Sequence, residues 1–512
     1  MKVKLLILFL VVFCENVNAQ ILRQGEVNTH RYRYPLFIGE SDSMLYFMNH
    51  ILPYKQDEIF SNNSTGTIMK STWIQVEKKR LSTVSEEKLK EPEIAGEKSD
   101  WKKSSVVNDK LALILKSDNK TALATYTNIG KGVSDLHILW PSGNFCQDFD
   151  EYDEDDLLVE FFSNTDQTYH VLLETEYFEV SKVHKYLWVL SDQITSFRLY
   201  DKDFNLLVER KMGHRAEDLY EISGARVDRK GNFYYLKNGE INVVDRGRNF
   251  EHWTYPLASR NAEIAATLNF PVTTLNNDDE FLVAASYIKL ISSTMPRTAY
   301  VDGELERQTK GLFFQLHNNY DHEVKRFKMI YLDSLKSGLS NKSLESIDHM
   351  KKSALVMREI RVQKDGSYLL LAQSADERIV YGSGYLKKPS NFYVIKLSAD
   401  LDIIWVSETE IKDIKFILGR YNFFKYLAVN NEEKMEILLR GEWLSNTDFD
   451  DGPVRVSIDL SDGNTTYSQV PASDILQDFN LEGASHTLNK YKQYGMVGNR
   501  DGTVVIEWSI DE

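Results

Sequence analysis

The clearest pattern in the chain lies between Ser223 and Tyr255, SGARVDRKGNFYYLKNGEINVVDRGRNFEHWTY. Four short apolar runs are separated by the tight polar turns Arg229-Lys-Gly231, Lys237-Asn-Gly239 and Arg246-Gly-Arg248. Each run is too short for a helix and rich in Val, Ile, Phe or Tyr, so the spacing predicts four strands joined by hairpins. The same unit recurs. Strands are expected in sets at about 176–210, 270–329, 355–408 and 423–470, with a closing pair at Tyr494–Gly498 and Thr503–Trp508. Weaker signals precede them, at Tyr34–Ile38, Met44–Met48, Trp73–Lys79, Leu111–Lys116, Ala122–Thr127 and Leu136–Trp140. Residues 85–105 are strongly charged and read as a surface loop or short helix.

The turns repeat as well. Between first and second strands stand Asp228-Arg-Lys-Gly-Asn232, Asn276-Asn-Asp-Asp-Glu280 and Gln363-Lys-Asp-Gly-Ser367; between third and fourth strands stand Tyr200-Asp-Lys-Asp-Phe-Asn205, His317-Asn-Asn-Tyr-Asp-His322 and Ser398-Ala-Asp-Leu-Asp402. Asn, Asp and Gly recur because tight turns need positive φ or a side chain that bonds back to the backbone. The connection from second to third strand varies most, growing to loops at 287–311 and 374–391. Insertions gathered at one place per repeat map to one face, where repeat proteins bind.

Repeated four-stranded units with only ten prolines and no linkers between them favour a β-propeller over a string of sandwiches. The expectation is an all-β chain, one propeller over 20–512, with seven blades favoured and six or eight open. The terminal strands 494–508 would complete a blade with strands near the N-terminus.

The segments LYDKDFNLLVERKM, VDRKGNFYYLKNGEINVVD and FYVIKLSADLDIIWVSE resemble exported repeat proteins common in Bacteroidota, over about 180–470. That resemblance implies β-propeller-like architecture. The family is largely without assigned function, so the resemblance carries over no catalytic residue.

Composition places the chain. Lys2 and Lys4, the apolar run Leu5–Phe13 and Val17-Asn-Ala19 form a secretory leader pattern ending at residue 19. Nine apolar residues are too few to cross a bilayer, which takes about 20. Export is therefore expected, to a periplasm, a cell surface or the medium. Cys14 follows Phe13 rather than a small residue, which speaks against a lipoprotein. Past the leader only Cys146 remains, so no internal disulfide can form. The formal charge of −15 disfavours nucleic acid and anionic membranes as partners.

Chemistry is sparse. There is no HExxH helix, GxSxG elbow, P-loop or CxxC pair. Asp201, Asp203 and Asn205 open like a calcium loop, but Leu206 and Met212 stand where it needs Gly and Glu, so these side chains are expected to cap a hairpin turn. The acid run Asp148–Asp156 reads as a solvated loop, and His184, His214, His252, His317 and His322 as surface. No metal or other cofactor is expected. Tyr300, Tyr381 and Tyr385 in the two long connections could stack on sugar rings, with Arg297, Arg378 and Lys387 to meet carboxylates. The leading functional expectation is a binding or scaffold module for a protein or polysaccharide. The alternative is a carbohydrate-active hydrolase or lyase that gathers two carboxylates from separate blades.

Overall fold

The computed structural model describes residues 21–27, 33–51, 71–87, 93–97, 99–117, 120–141, 158–184, 187–215, 223–237, 240–257, 268–290, 307–335, 339–380, 384–411, 426–440, 444, 452–470, 481–484, 490–498 and 503–511. They form a β-propeller of four-stranded antiparallel blades. Eight four-stranded sheets are present among the described residues.

Two compact units contain them. The larger holds blade 2 (Asp100–Val107, Lys110–Ser117, Lys120–Tyr126, Asp135–Pro141), blade 3 (Leu158–Ser163, Tyr169–His184, Leu187–Asp201, Leu206–Arg215) and blade 4 (Ser223–Val227, Phe233–Lys237, Glu240–Asp245, Glu251–Pro256). It also holds blade 5 (Leu268–Leu275, Phe281–Leu290, Arg307–His317, Val324–Tyr331) and blade 6 (Ala354–Val362, Tyr368–Val380, Gly384–Leu397, Ile403–Glu410). The smaller holds blade 1 (Arg33–Glu40, Met44–Ile51, Ser71–Glu77, Ser82–Glu87) and blade 7 (Leu427–Asn430, Lys434–Arg440, Pro453–Asp459, Thr465–Gln469). Its blade 8 joins Leu481–Ala484, Lys492–Gly498 and Thr503–Ser509 to the N-terminal strand Ile21–Val27, the closure expected from the chain ends.

Blade 4 follows the expected strands almost residue for residue. Its strand Phe233–Lys237 is buried throughout, because each face meets a neighbouring blade. Phe233 and Tyr235 join Val171, Phe197 and Leu199 of blade 3, while Tyr234 and Leu236 join Phe281, Val283 and Phe313 of blade 5. Such a doubly covered strand reads as a continuous apolar run rather than an alternating one.

Three expectations need correction. Residues 85–105 are not wholly loop or helix: Ser82–Glu87 and Asp100–Val107 are strands, and 93–97 form a turn closed by the Ile94↔Glu97 bridge. Part of the charge is used between blades, where Lys103 reaches Glu160 at 2.7 Å. The set placed at 176–210 begins earlier: Leu158–Ser163 is the first strand of blade 3, and 176–190 continues its central hairpin. His317 and His322 are fully buried rather than surface residues. A short helix, α1 (Asn341–Met350), was also not foreseen; Ser340 caps it by accepting the Ser343 N–H, and Ile347 and Met350 pack into the core between blades 5 and 6.

The turns share one device. Asp228 Oδ1 accepts the N–H groups of Lys230 and Asn232, and Asp228 Oδ2 accepts Asn232 Nδ2. Asp201 repeats this with Asp203 and Asn205, Asn276 with Asp278 and Glu280, and the hydroxyl of Ser398 with Asp400 and Asp402. The calcium-loop spacing at Asp201 is therefore a turn whose acid caps backbone donors. Gly231 lies at φ 85°, and a Cβ there would also meet the Tyr169 ring at 3.2 Å. These turns then tie blade to blade: Asn164 Nδ2 donates to the Asp228 carbonyl, Arg229 to Asp279 and the Asn277 carbonyl, and Asn277 Nδ2 to the Gln363 carbonyl.

Asp201 and Asp228 make the same turn bonds at different burial. Desolvation pushes the buried Asp228 carboxyl above its ordinary value; Asp201 feels desolvation too, but its bonds to Asn205 and Asp203 hold it below. Asp228→Ala is expected to cost about 2–4 kcal/mol, because buried donors lose their acceptor, and Asp201→Ala only about 0.5–1.5 kcal/mol. Urea denaturation of both variants checks this, and equal losses would contradict the assignment.

Candidate functional site: the ribbon end of the larger unit

The long second-to-third connections are not loops at their bases. The central strands of blade 3 run for 16 and 15 residues, those of blade 5 for 10 and 11, and those of blade 6 for 13 and 14; in blade 4 they run for 5 and 6. Strand pairing continues to His184↔Leu187, Leu290↔Arg307 and Val380↔Gly384. By topology these ribbons leave the blades at the end opposite the tied turns. Blade 4, between blades 3 and 5, has none.

Each ribbon is rooted in polar side chains. At the base of blade 3, Glu174 accepts from Arg198 Nη1 and Thr121 Oγ1 and lies 3.4 Å from Lys116 Nζ, and Arg198 also reaches Glu209 at 3.1 Å. Burial alone would raise the Glu174 carboxyl, but Lys116 and Arg198 outweigh it and hold it below its ordinary value. At blade 5, the Thr309 N–H and hydroxyl both donate to the Ser353 carbonyl, and Ser286 donates to Leu355 O at 2.6 Å. At blade 6, Glu408 accepts from Asn391 Nδ2, from Tyr393 OH at 3.2 Å and from His349 Nδ1 at 2.9 Å, the last carried on α1. These groups interrupt the apolar face where each blade becomes a two-stranded ribbon, and no local motif announces them because their partners are distant in sequence.

Of the six sequence candidates, Arg297, Tyr300 and Tyr381 lie outside the described residues. Arg378, Tyr385 and Lys387 are on the blade 6 ribbon, whose register pairs Arg378 with Leu386, Ile379 with Tyr385 and Glu377 with Lys387. The structure thus places these three on one hairpin rather than in an irregular loop.

Among the described residues, one serine, one histidine and one aspartate come close together. Ser163 Oγ and His170 Nδ1 are 2.8 Å apart, and Asp201 is near enough to act on the imidazole by charge. The three do not form a triad. The Asp201 carboxylate is bonded to Asp203 and Asn205, and His170 Nε2 has no hydrogen-bond partner. His170 lies buried between Phe161 and Phe204, and burial lowers its pKa to about 4, far from that of a working base near neutrality. His349 is oriented by Glu408, yet no hydroxyl or thiol is bonded to it. No group of three or more His, Cys, Asp or Glu is placed to hold a metal among the described residues, and no helix there is long and apolar enough to cross a membrane.

No protein-family model matches the chain, and no sequence match was found among curated proteins. Among solved structures it is similar to the WD40 domain of SCAP from fission yeast, with a TM-score of 0.45 and 8% identity over 96% of this chain and 98% of that one. A member of the DUF4221 family from Bacteroides vulgatus is similar at a TM-score of 0.32 and 11% identity, over 88% and 99%. Virginiamycin B lyase from Staphylococcus aureus is similar at 0.33 and 8%, over 80% and 94%.

Two outcomes follow. Glu174→Gln removes the charge that neutralises Arg198 and Lys116 and is expected to cost about 3–5 kcal/mol, with faster proteolysis within the 176–193 ribbon than elsewhere. Limited proteolysis with mass-spectrometric mapping checks it. His170 and His317 are both fully buried, and burial lowers each pKa to about 4. The folded state binds fewer protons than the unfolded state between about pH 6.5 and 4. The stabilisation is complete above that window and is lost as pH falls through it, by up to about 3 kcal/mol per histidine. His170→Leu should flatten the pH dependence of the denaturation midpoint there by about one proton.

Proposed function

We propose that this chain is an exported binding or scaffold module that engages a protein or polysaccharide partner through the ribbon end of its larger unit. The observation that carries the reading is the uneven length of one hairpin. Blades 3, 5 and 6 lengthen the same connection while their tied turns stay short. A blade needs only a short connection at that place to close its sheet, as in blade 4, where Lys237 pairs with Glu240. Extra paired backbone there extends beyond the four-stranded part of the sheet. Two-stranded ribbons also hold their side chains in fixed register, which lowers the ordering cost of binding compared with a free loop. Export rests on the leader pattern of residues 1–19.

The test begins with residues 20–512 screened against a polysaccharide panel and against envelope extract. Retention is read together with release of reducing ends or unsaturated sugars, with and without calcium. Retention without turnover supports the reading; product release would replace it with the hydrolase or lyase alternative. In the second arm the blade 6 ribbon is cut back, joining Ser374 to Asn391 through Asn-Gly. This variant is expected to keep its denaturation midpoint within a few degrees and to lose retention by tenfold or more. Unchanged retention by a folded trimmed protein would move the site away from this ribbon.

A further inference from the structure

A second surface lies away from the ribbons, on the outer strand of blade 5. Val324–Tyr331, VKRFKMIY, is the last strand of its sheet, so one edge of its backbone has no strand partner among the described residues. Outer strands usually blunt this edge with polar side chains. This one exposes Val324 (40%), Phe327 (48%) and Tyr331 (51%), and the turn leading into it carries Tyr320, 80% exposed.

The apolar groups are firmly placed. Phe327 packs edge-on against Phe313 at 5.5 Å. The Asn318 side chain accepts the N–H groups of Tyr320 and Asp321, Tyr255 OH donates to the Asp321 carbonyl, and the turn closes on the buried pair His317 Nδ1–His322 O at 2.6 Å. A rigid exposed aromatic loses little freedom on binding, which is why such residues anchor interfaces.

Charge narrows the occupant. Within a chain of net −15, this strand carries Lys325, Arg326 and Lys328 and no acid. Of the other outer strands of the larger unit, Asp135–Pro141, Glu251–Pro256 and Ile403–Glu410 contain no Lys or Arg, and Leu206–Arg215 sets Arg210, Lys211 and Arg215 beside Glu209. Lys325 pairs with Glu280, Arg326 with Asp400 and Lys328 with Asp402. Asp400 and Asp402 are largely exposed, and exposed pairs of this kind are worth about 0–1 kcal/mol, so an incoming carboxylate can exchange with them. A second copy of the same strand would be repelled by three like charges. We infer that the Val324–Tyr331 edge receives an extended acidic peptide of a partner protein, which adds a strand to blade 5 by backbone pairing and sets alternating apolar side chains on Phe327 and Tyr331.

This surface does not depend on the ribbon reading, and its test uses none of the ribbon residues. Full-length protein from residue 20 is titrated against three fluorescein-labelled peptides, read by anisotropy. The first alternates Glu with Val and Phe. The second replaces Glu by Lys. The third keeps the acidic sequence but carries N-methyl groups at alternate backbone nitrogens. Binding of the first, at least tenfold tighter than of the other two, and weakening with salt, is the expected result. Lys325→Glu/Lys328→Glu and, separately, Phe327→Ser should each weaken it by tenfold or more, with the circular dichroism spectrum and denaturation midpoint reported beside them. Equal binding of the acidic and basic peptides, or undiminished binding of the N-methylated one, would overturn the inference. So would folded variants that bind like the parent.

Discussion

Most of the larger unit depends on one local interaction, a short polar side chain that turns back to accept the backbone N–H groups of its own hairpin. Asp201, Asp228, Asn276 and Ser398 all do this. A turn capped this way has no unpaired donors to solvate, so it can lie flat against its neighbour and offer its carbonyls outward. The neighbour then uses them, as Asn164 does with Asp228 O and Asn277 with Gln363 O. The device fixes turn length, and turn length fixes the register in which each blade meets the next. Doubly buried strands such as Phe233–Lys237 can follow only if that register holds, because a slip by one residue would exchange the side chains given to blades 3 and 5.

The opposite end of the unit obeys no such rule. Nothing there requires a short connection, and blades 3, 5 and 6 have grown while blade 4 has not. Growth as paired ribbon needs a stable root, which explains why charged and polar side chains are buried at Glu174, Thr309 and Glu408. At each root the four-stranded sheet narrows to a two-stranded ribbon. A carboxylate with two cations, or a hydroxyl with a carbonyl, satisfies the polar groups at that step. The larger unit thus has one end whose turns are tied from blade to blade and an opposite end carried on ribbons.

The sequence reveals these two ends unequally. Blade 4 is legible because its three turns, 229–231, 237–239 and 246–248, are all short and all contain glycine. Blade 3 is misread because its central hairpin keeps alternating beyond residue 176, and a long ribbon looks like the opening of the next sheet. Residues 85–105 mislead for a different reason: the charge of Lys103 is neutralised by Glu160, 57 residues away, and no local signal can report that. The burial of His317 and His322 is hidden likewise, since a polar turn reads as exposed until its blade is docked. Of the candidate site, the positions of Arg378, Tyr385 and Lys387 on a variable connection were legible, but not that the connection is a hairpin. The roots at Glu174 and Glu408 were not legible at all, because Glu174 gathers partners from three separate strands and Glu408 from a strand and a helix.

Native-state hydrogen exchange tests this division most directly. The amides of Lys230, Asn232, Asp278 and Glu280, bonded to turn side chains, should exchange only through global unfolding, with protection that follows denaturant-induced loss of the whole unit. The paired amides of the 376–388 ribbon should exchange through local opening, with far lower protection and little denaturant dependence. Turn amides that exchange faster than ribbon amides would contradict the account, because the tied turns would then not be what holds the blades together.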